Sequence, residues 1–282
     1  MNEPLVEILM ATYNGATHLA AQIESIVAQS HRNWKLIIHD DGSDDATVQI
    51  ASDYVNRFAG QITLVNDDIR CGGAKNNFAH LMAMSSADYV CFCDQDDIWL
   101  NHKISESLQR LRREEGLVAS GTPLAVFTDL TVVDEELNVV ADSMWRFQRI
   151  MPELADSIDR LAVRNCITGC TMLLNRAAID VCLPIPSYAV MHDWWCGLRI
   201  LQARGKLLAV PTPSLLYRQH SGNVVGAKRW GLVSVMGKLL KGRSYWKGLR
   251  HNYIMAKHFL PGLGVGSFAL RKLRALVLTT QH

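Results

Sequence analysis

Tyr89-Val-Cys-Phe-Cys-Asp-Gln-Asp-Asp-Ile-Trp99 runs from five apolar or small residues into three carboxylates within four positions, then turns apolar again. Tyr89 to Cys93 has the length and composition of a buried strand. Asp94, Asp96 and Asp97 then fall at the carboxyl end of that strand, where open α/β sheets bind ligands. Carboxylates this close raise one another's pKa unless a cation neutralises them. A hard divalent cation with oxygen ligands, Mg²⁺ or Mn²⁺, is the natural solution. The competing reading is a solvated acidic turn whose Asp caps a helix. The stretches on either side favour the metal.

Upstream, Val6 to Ala11 reads as a strand that ends in the turn composition Thr12-Tyr-Asn-Gly15. Positions 19, 20, 23, 26 and 27 are apolar at helical spacing, which predicts a helix over His18 to Gln29. Trp34 to His39 is a second strand, closed by Asp40-Asp-Gly-Ser-Asp-Asp45, with Ser43 or Asp44 as cap of a helix reaching about Phe58. Ile62 to Val65 is a third strand. Arg70-Cys-Gly-Gly-Ala-Lys-Asn-Asn77 follows and leads into a helix to about Ser85. Strands alternating with helices at this spacing predict a mostly parallel sheet with right-handed crossovers. The polar clusters after strands one, two and four then meet at one edge, as a nucleotide-sized crevice beside the metal carboxylates.

Ala11-Thr-Tyr-Asn14, Asp40-Asp-Gly-Ser-Asp-Asp45, Gly73-Ala-Lys-Asn-Asn77 and Asp94-Gln-Asp-Asp97 together resemble the successive motifs of glycosyltransferase family 2. That family comprises inverting enzymes of the GT-A fold that use nucleotide-diphosphate sugars. The likeness covers about residues 4–220 and rests on four motifs in order; no one of them is specific alone. It implies that the loop after strand one and the first Asp after strand two hold the base and ribose, here Thr12, Tyr13, Asn14 and Asp40, with Asp41, Gly73, Asn76 and Asp94 as further nucleotide contacts. A carboxylate can accept from a pyrimidine N3–H and an aromatic ring can stack on the base. Lys75 is a candidate to offset phosphate charge. Asp96, the last Asp of the family's DxD motif, is implied as the direct metal ligand, with Asp97 behind it.

In the second half, Lys103 to Arg113 is a charged amphipathic helix and Leu124 to Phe127 a strand, followed by Thr128-Asp129. Asp129 reads as a turn residue before a sugar contact. Thr168 and Gly169, in Asn165-Cys-Ile-Thr-Gly-Cys-Thr171, are implied to lie beside acceptor and donor sugar. Met191-His-Asp-Trp-Trp195 opens a helix from His192 to about Arg204. An Asp in a first helical turn has an ordinary reason, since it complements the macrodipole. The family's catalytic Asp sits at such a helix start, so Asp193 is implied as the general base, with Trp194 and Trp195 as an apolar wall for a sugar face. Tyr217-Arg-Gln-His220 lacks the Gln-x-x-Arg-Trp of processive members and resembles the O-antigen and rhamnosyl branch. His220 is implied as a third metal ligand or a diphosphate contact. Arg218 is a candidate phosphate partner, or simply one half of a surface ion pair.

Composition sets the outer limits. The 282 residues suffice for one large α/β domain with an appendage. Seven scattered cysteines without zinc spacing suggest buried free thiols in a reducing compartment. No signal peptide is expected at the N-terminus, and no apolar run reaches the roughly 18 residues of a spanning helix. Charge is split: residues 1–193 hold all 27 acids and 14 Lys or Arg, whereas residues 194–282 hold 15 Lys or Arg and no acid. The basic residues of the C-terminal stretch alternate with Trp230, Trp246, Phe259 and other apolar side chains, the composition of an interfacial membrane helix. Packing of these helices on the catalytic core is the other expectation, and the two are compatible. No nucleic-acid motif accompanies the charge.

The sequence thus predicts a GT-A α/β domain over 1–225, its nucleotide-binding half 1–100 and its acceptor half 101–225, with a basic helical region over 226–282. The resemblance implies a metal-dependent inverting transferase moving a single sugar, dTDP-L-rhamnose or a UDP-hexose being the donor. Its glycan acceptor would sit on a polyprenyl diphosphate at the cytoplasmic face of the inner membrane, in surface polysaccharide synthesis. Two rivals are a nucleotidyltransferase, which would carry a basic phosphate loop where Thr12-Tyr-Asn-Gly15 has none, and a non-catalytic nucleotide-sugar-binding protein.

Overall fold

The structure, a computed structural model, describes residues 3–220 and 242–277. The first half alternates as expected: β1 (Val6–Thr12), α1 (Ala16–Val27), β2 (Trp34–Asp40), α2 (Thr47–Arg57), β3 (Ile62–Leu64), α3 (Ala74–Met84) and β4 (Tyr89–Cys93). Then come β5 (Ile98–Trp99), α4 (Lys103–Glu115), β6 (Leu124–Val133), β7 (Val139–Ala141), α5 (Met144–Gln148), α6 (Ile158–Leu161), β8 (Leu173–Asn175), α7 (Arg176–Cys182), α8 (His192–Gln202) and β9 (Lys206–Arg218). Two helices close the described chain, α9 (Gly242–Phe259) and α10 (Val265–Val277).

The strands form one sheet in the order β3-β2-β1-β4-β8-β6-β9-β5, with β7 beside β6. β3, β2, β1 and β4 are all parallel, so the ends of β1, β2 and β4 share one edge. β8 runs antiparallel to both β4 and β6, and β5 antiparallel to β9, while β6 and β9 are parallel. The mixed α/β architecture is as expected, but its parallel character belongs mainly to the nucleotide half.

Both faces of the sheet are covered. Leu9, Val90 and Phe92 pack on one side, and Val6, Ile8, Met10, Cys91 and Cys93 on the other. This is why β4 reads as an uninterrupted apolar run. All seven cysteines are free, and every one but Cys71 is buried, as the composition suggests.

β6 runs six residues past the expected end, because Thr128 and Asp129 are buried polar residues rather than a turn. Thr128 Oγ1 meets Ser214 Oγ at 2.5 Å. Asp129 accepts from the Ser143 hydroxyl and, at 3.1 Å, from the Trp145 amide, and so fixes the start of α5. Asp129 is therefore a fold residue. α2 starts at Thr47, where Asp45 rather than Ser43 or Asp44 accepts the Thr47 amide at 2.9 Å.

α9 and α10 join the same core as the catalytic elements, through Met255, Ala256, Phe259, Leu263 and Phe268. Their outer surface leaves Trp246, Val265 and Leu273 exposed among basic side chains. The expected boundary at 225/226 and Trp230 lie outside the described residues.

Candidate active site

A cavity of about 940 Å³ opens at the carboxyl edge of β1, β2 and β4. Its walls include Thr12, Tyr13, Asp41, Gly73, Asp94 and Asp96 on the sheet side, and Thr168, Gly169, Asp193 and Trp194 on the other. The structure thus brings together residues that lie up to 182 positions apart in the sequence.

Polar side chains hold the backbone of the loops that form the nucleotide side. Gln95 donates to the Tyr13 carbonyl at 3.0 Å and accepts from the Tyr13 amide at 2.9 Å. Its amide lies so close to Gly15 that a Cβ there would fall 2.2 Å from Gln95 Oε1, so any larger residue would displace Gln95 from the Tyr13 backbone. Asn14, with φ 48°, donates its amide to Ser43 Oγ and accepts from the Asp44 amide. Tyr13 itself stays 57% exposed, its ring open to a stacking partner.

The two aspartates after β2 do different things. Asp40 does not line the cavity. Its Oδ1 accepts from Thr12 Oγ1 at 2.8 Å and Ser43 Oγ at 2.6 Å, and its Oδ2 from the Gly42 and Ser43 amides. Asp41 borders the cavity and accepts from the amides of Cys71, Gly72 and Gly73 at 2.5, 3.0 and 2.7 Å. The turn it holds needs positive φ at Gly73, 131°, which glycine adopts freely. That turn presents Arg70 to the cavity. Lys75 instead donates to the carbonyls of Ser187 and Ala189 at 2.8 and 3.0 Å, so it ties α3 to the loop before α8. Among the described residues, the cation beside the cavity is therefore Arg70, which carries no motif of its own. Asn76, in the first turn of α3, donates from Nδ2 to the Cys71 carbonyl and so braces the glycine turn; it does not line the cavity.

The acidic cluster divides as well. Asp94 and Asp96 line the cavity, whereas Asp97 is fully buried, and among the described residues neither of its oxygens accepts a well-formed hydrogen bond, the Cys170 thiol and the Arg218 amide only opposing the rise in its pKa. Burial, then the charges of Asp96 and Asp193, push Asp94 up to about 7. Burial and the Asp96 and Asp94 charges push Asp97 well above the carboxylate range. Three carboxylates gathered here, with the buried Lys103 ammonium pulling Asp94 down, still carry an excess of negative charge that a cation would offset. Oxygen donors in this number suit Mg²⁺ or Mn²⁺. Cys170, whose donor atom groups with those of Asp94 and Asp97, has its thiol driven far up by burial, which favours the protonated form over a ligating thiolate. His220 Nε2 stands 2.8 Å from Asp96 Oδ2. Arg218 is buried and donates from Nε to the Asp96 carbonyl at 3.1 Å and from Nη1 to the Glu135 carbonyl. It braces the acidic loop and does not line the cavity.

Asp193 sits in the first turn of α8, only 7% exposed. Burial raises it to about 6, against the opposing pull of the Trp194 and Gly169 amides and the Asn165 side chain. Such a carboxyl is ionised at neutral pH, yet basic enough to take a proton. His192 beside it is buried between Phe78 and Phe92, and burial lowers it to about 3, so its ring is neutral. Gly169 is required here, since a Cβ would stand 2.7 Å from His192 Nε2. Trp194 lines the cavity and donates its indole N–H to the Leu161 carbonyl. Trp195 is not part of a sugar wall: it donates to the Cys182 carbonyl and packs in the core against Tyr188, His258 and Phe259.

Comparison with known proteins points the same way. The sequence profile described as Glycosyl transferase family 2 matches residues 7–182. The "dTDP-rhamnosyl transferase RfbG" of Shigella flexneri is 28% identical over 240 residues, 79% of this chain and 78% of that protein. The "UDP-Glc:alpha-D-GlcNAc-diphosphoundecaprenol beta-1,3-glucosyltransferase WfaP" of Escherichia coli is 30% identical over 226 residues, 79% of this chain and 81% of its own length. Among solved structures, S. aureus TarS 1–349 in complex with UDP-GlcNAc superposes with a TM-score of 0.63 at 14% identity, covering 96% of this chain and 71% of that 1–349 chain. The mannosyltransferase PcManGT from Pyrobaculum calidifontis, in complex with GDP-Man and Mn²⁺, gives 0.57 at 12% identity, covering 98% and 81%.

Proposed function

The chain belongs to glycosyltransferase family 2, and from that premise we propose that it transfers a single sugar, with inversion, from a pyrimidine nucleotide-diphosphate sugar to a hydroxyl of a glycan on a polyprenyl diphosphate. One observation carries this reading: a single cavity has an electron-rich carboxylate pair, Asp94 and Asp96, on one wall and a basic carboxylate, Asp193, on the other.

Asp94, Asp96, Asp97 and His220 would hold Mg²⁺ or Mn²⁺, which when bound offsets the charge on the departing diphosphate. The chain's own residues do the rest. Tyr13 offers its ring to the base. Asp40 orders Thr12 and the Gly42-Ser43 turn, and Asp41 holds the glycine turn that carries Arg70 toward phosphate oxygens. Asp193 takes the proton of the acceptor hydroxyl as that oxygen attacks the anomeric carbon, and the nucleoside diphosphate leaves from the opposite face. No covalent nucleophile is needed. Trp194, Thr168 and Gly169 shape the sugar end.

The relatives' names tip the donor toward dTDP-L-rhamnose, with UDP-glucose behind it, and favour a lipid-linked acceptor in surface polysaccharide synthesis. The basic, apolar-studded outer surface of α9 and α10 suits a cytoplasmic enzyme that dwells peripherally at an anionic leaflet. Titration calorimetry against dTDP-, UDP- and GDP-sugars, with and without Mn²⁺, tests the donor side. Mn²⁺-dependent binding of dTDP- or UDP-sugars is expected; tight binding of GDP-mannose alone contradicts the pyrimidine assignment.

A further inference from the structure

A second set of metal-ligand side chains lies behind the nucleotide loops. His39 is the penultimate residue of β2, Asp67 lies in the loop after β3, and His80 is on α3; one donor atom from each falls within 4.8 Å of the others. His39 Nε2 is 3.1 Å from Asp67 Oδ1, and His80 Nε2 is 2.8 Å from Asp67 Oδ2. None of the three lines the cavity.

The hydrogen bonds around His39 fix its tautomer. Asn77 Nδ2 donates to the His39 carbonyl at 3.1 Å, which orients the amide so that Asn77 Oδ1 faces His39 Nδ1 at 2.8 Å. Oδ1 can only accept, so Nδ1 carries the proton. A neutral ring in that state aims the bare Nε2 lone pair at a carboxylate oxygen, an acceptor facing an acceptor. Either the ring takes a second proton or a cation takes the lone pair. A ring whose distal N–H is held by a fixed acceptor while its other nitrogen faces a carboxylate and a second imidazole is the arrangement of a metal-bound histidine with its outer support.

We propose that His39, Asp67 and His80 bind a transition-metal ion of the Zn²⁺ class. Two imidazoles and one carboxylate suit Zn²⁺, Co²⁺ or Ni²⁺ and not Mg²⁺. Zn²⁺ holds such ligands at about 2.0–2.2 Å, so the two Asp67 contacts at 3.1 and 2.8 Å need to open by a few tenths of an ångström, while the two imidazole nitrogens, within 4.8 Å of each other, set the remaining ligand spacing. The ion fastens the loop that carries Arg70 to β2 and α3, and leaves one coordination position open to solvent. This is separate from the Asp94–Asp97 cluster, which offers mainly hard oxygen.

Co²⁺ titration of tag-free, full-length Asp96→Ala protein, followed by its visible absorption, isolates this site from the donor metal. One equivalent with the intense bands of low-coordinate Co²⁺ is expected, displaced by Zn²⁺ and not by Mg²⁺. Adding His80→Ala or, separately, Asp67→Asn should weaken uptake by about 10-fold or more, with near-ultraviolet circular dichroism confirming that each variant is folded. His80 is partly exposed, so its removal leaves the core intact. No uptake in the Asp96→Ala protein, or an equivalent that survives both further substitutions, overturns the proposal and leaves His39 paired directly with Asp67.

Discussion

His220 Nε2 lies 2.8 Å from Asp96 Oδ2, although 124 residues separate them. The contact closes the acidic loop after β4 against the end of β9, and Arg218, two residues before, holds the Asp96 carbonyl from the same strand. One carboxylate is thus fixed by its backbone and by its side chain, as a metal ligand needs to be. Asp96→Ala should abolish transfer and leave the thermal transition nearly unmoved. His220→Ala should lower activity by about 10- to 100-fold, partly recovered by excess Mn²⁺. Excess EDTA should silence the wild type. Full activity in EDTA, or in Asp96→Ala, would remove the metal from the scheme.

Asp193 gives a pH signature. Its carboxyl is raised to about 6, and the active form of a base is the ionised one. The kcat/KM of the wild type should therefore climb as pH rises through about 6 and level above it. Asp193→Asn should lose roughly 10²-fold or more in kcat with donor affinity nearly unchanged. Stability should move the opposite way. Because folding raises this pKa, the folded state prefers the protonated carboxyl, and its ionisation costs stability as pH rises from the ordinary carboxylate range to about 6. The Asn variant should accordingly melt higher than the wild type at pH 8, the gain fading at acid pH. A variant that loses both activity and melting temperature would make Asp193 a fold residue.

Arg70 and Lys75 separate binding from structure. Arg70 borders the cavity, so Arg70→Ala should weaken nucleotide-sugar binding by about tenfold or more, the worth of a hydrogen bond to a charged group. Lys75 satisfies two carbonyls, so Lys75→Ala should cost on the order of 1 kcal/mol of stability and leave donor affinity almost untouched. Calorimetry and thermal melts on the two variants decide; an equal effect of both on donor binding would return Lys75 to the phosphate.

Much of this was legible in the sequence because the motifs are local. Thr12-Tyr-Asn-Gly15, Asp40 to Asp45 and Asp94 to Asp97 each follow an apolar run, and the parallel order of β1, β2 and β4 carries all three to one edge. What was not legible depends on contacts distant in sequence. Asp40 and Asp41 look alike until Thr12 and Cys71 to Gly73 arrive to claim them. Asp129 reads as a turn until Ser143 and Trp145 satisfy it inside β6. Trp195 resembles a sugar platform until α9 covers it, and Lys75 resembles a phosphate ligand until the 187–189 loop folds over α3. His39 and His80 carry no motif at all, since 41 positions separate them and their partner Asp67 stands in the loop between.

The membrane expectation now has a sharper test than truncation. α9 and α10 bury Met255, Phe259 and Phe268, so removing them would uncover the core. Charge reversal on the outer face, Lys247→Glu with Arg250→Glu, leaves that packing alone. It should reduce flotation with anionic vesicles, since each basic residue near the leaflet is worth about 1 kcal/mol and the effect is screened by salt. Trp246→Ala, at a side chain 60% exposed, should remove part of the binding that survives high salt. Wild-type protein that stays off anionic vesicles at low salt would leave core packing as the whole role of these helices.

The most direct measurement is a transfer reaction in which purified protein, Mn²⁺ and dTDP-L-rhamnose or UDP-glucose meet a synthetic glycan on polyprenyl diphosphate, with mass spectrometry counting the sugars added and NMR assigning the new anomeric centre. The expected result is one added sugar with inverted configuration in the wild type, and none on the same timescale in Asp193→Asn. Retained configuration, transfer of the nucleotide in place of the sugar, or undiminished turnover by Asp193→Asn would contradict it.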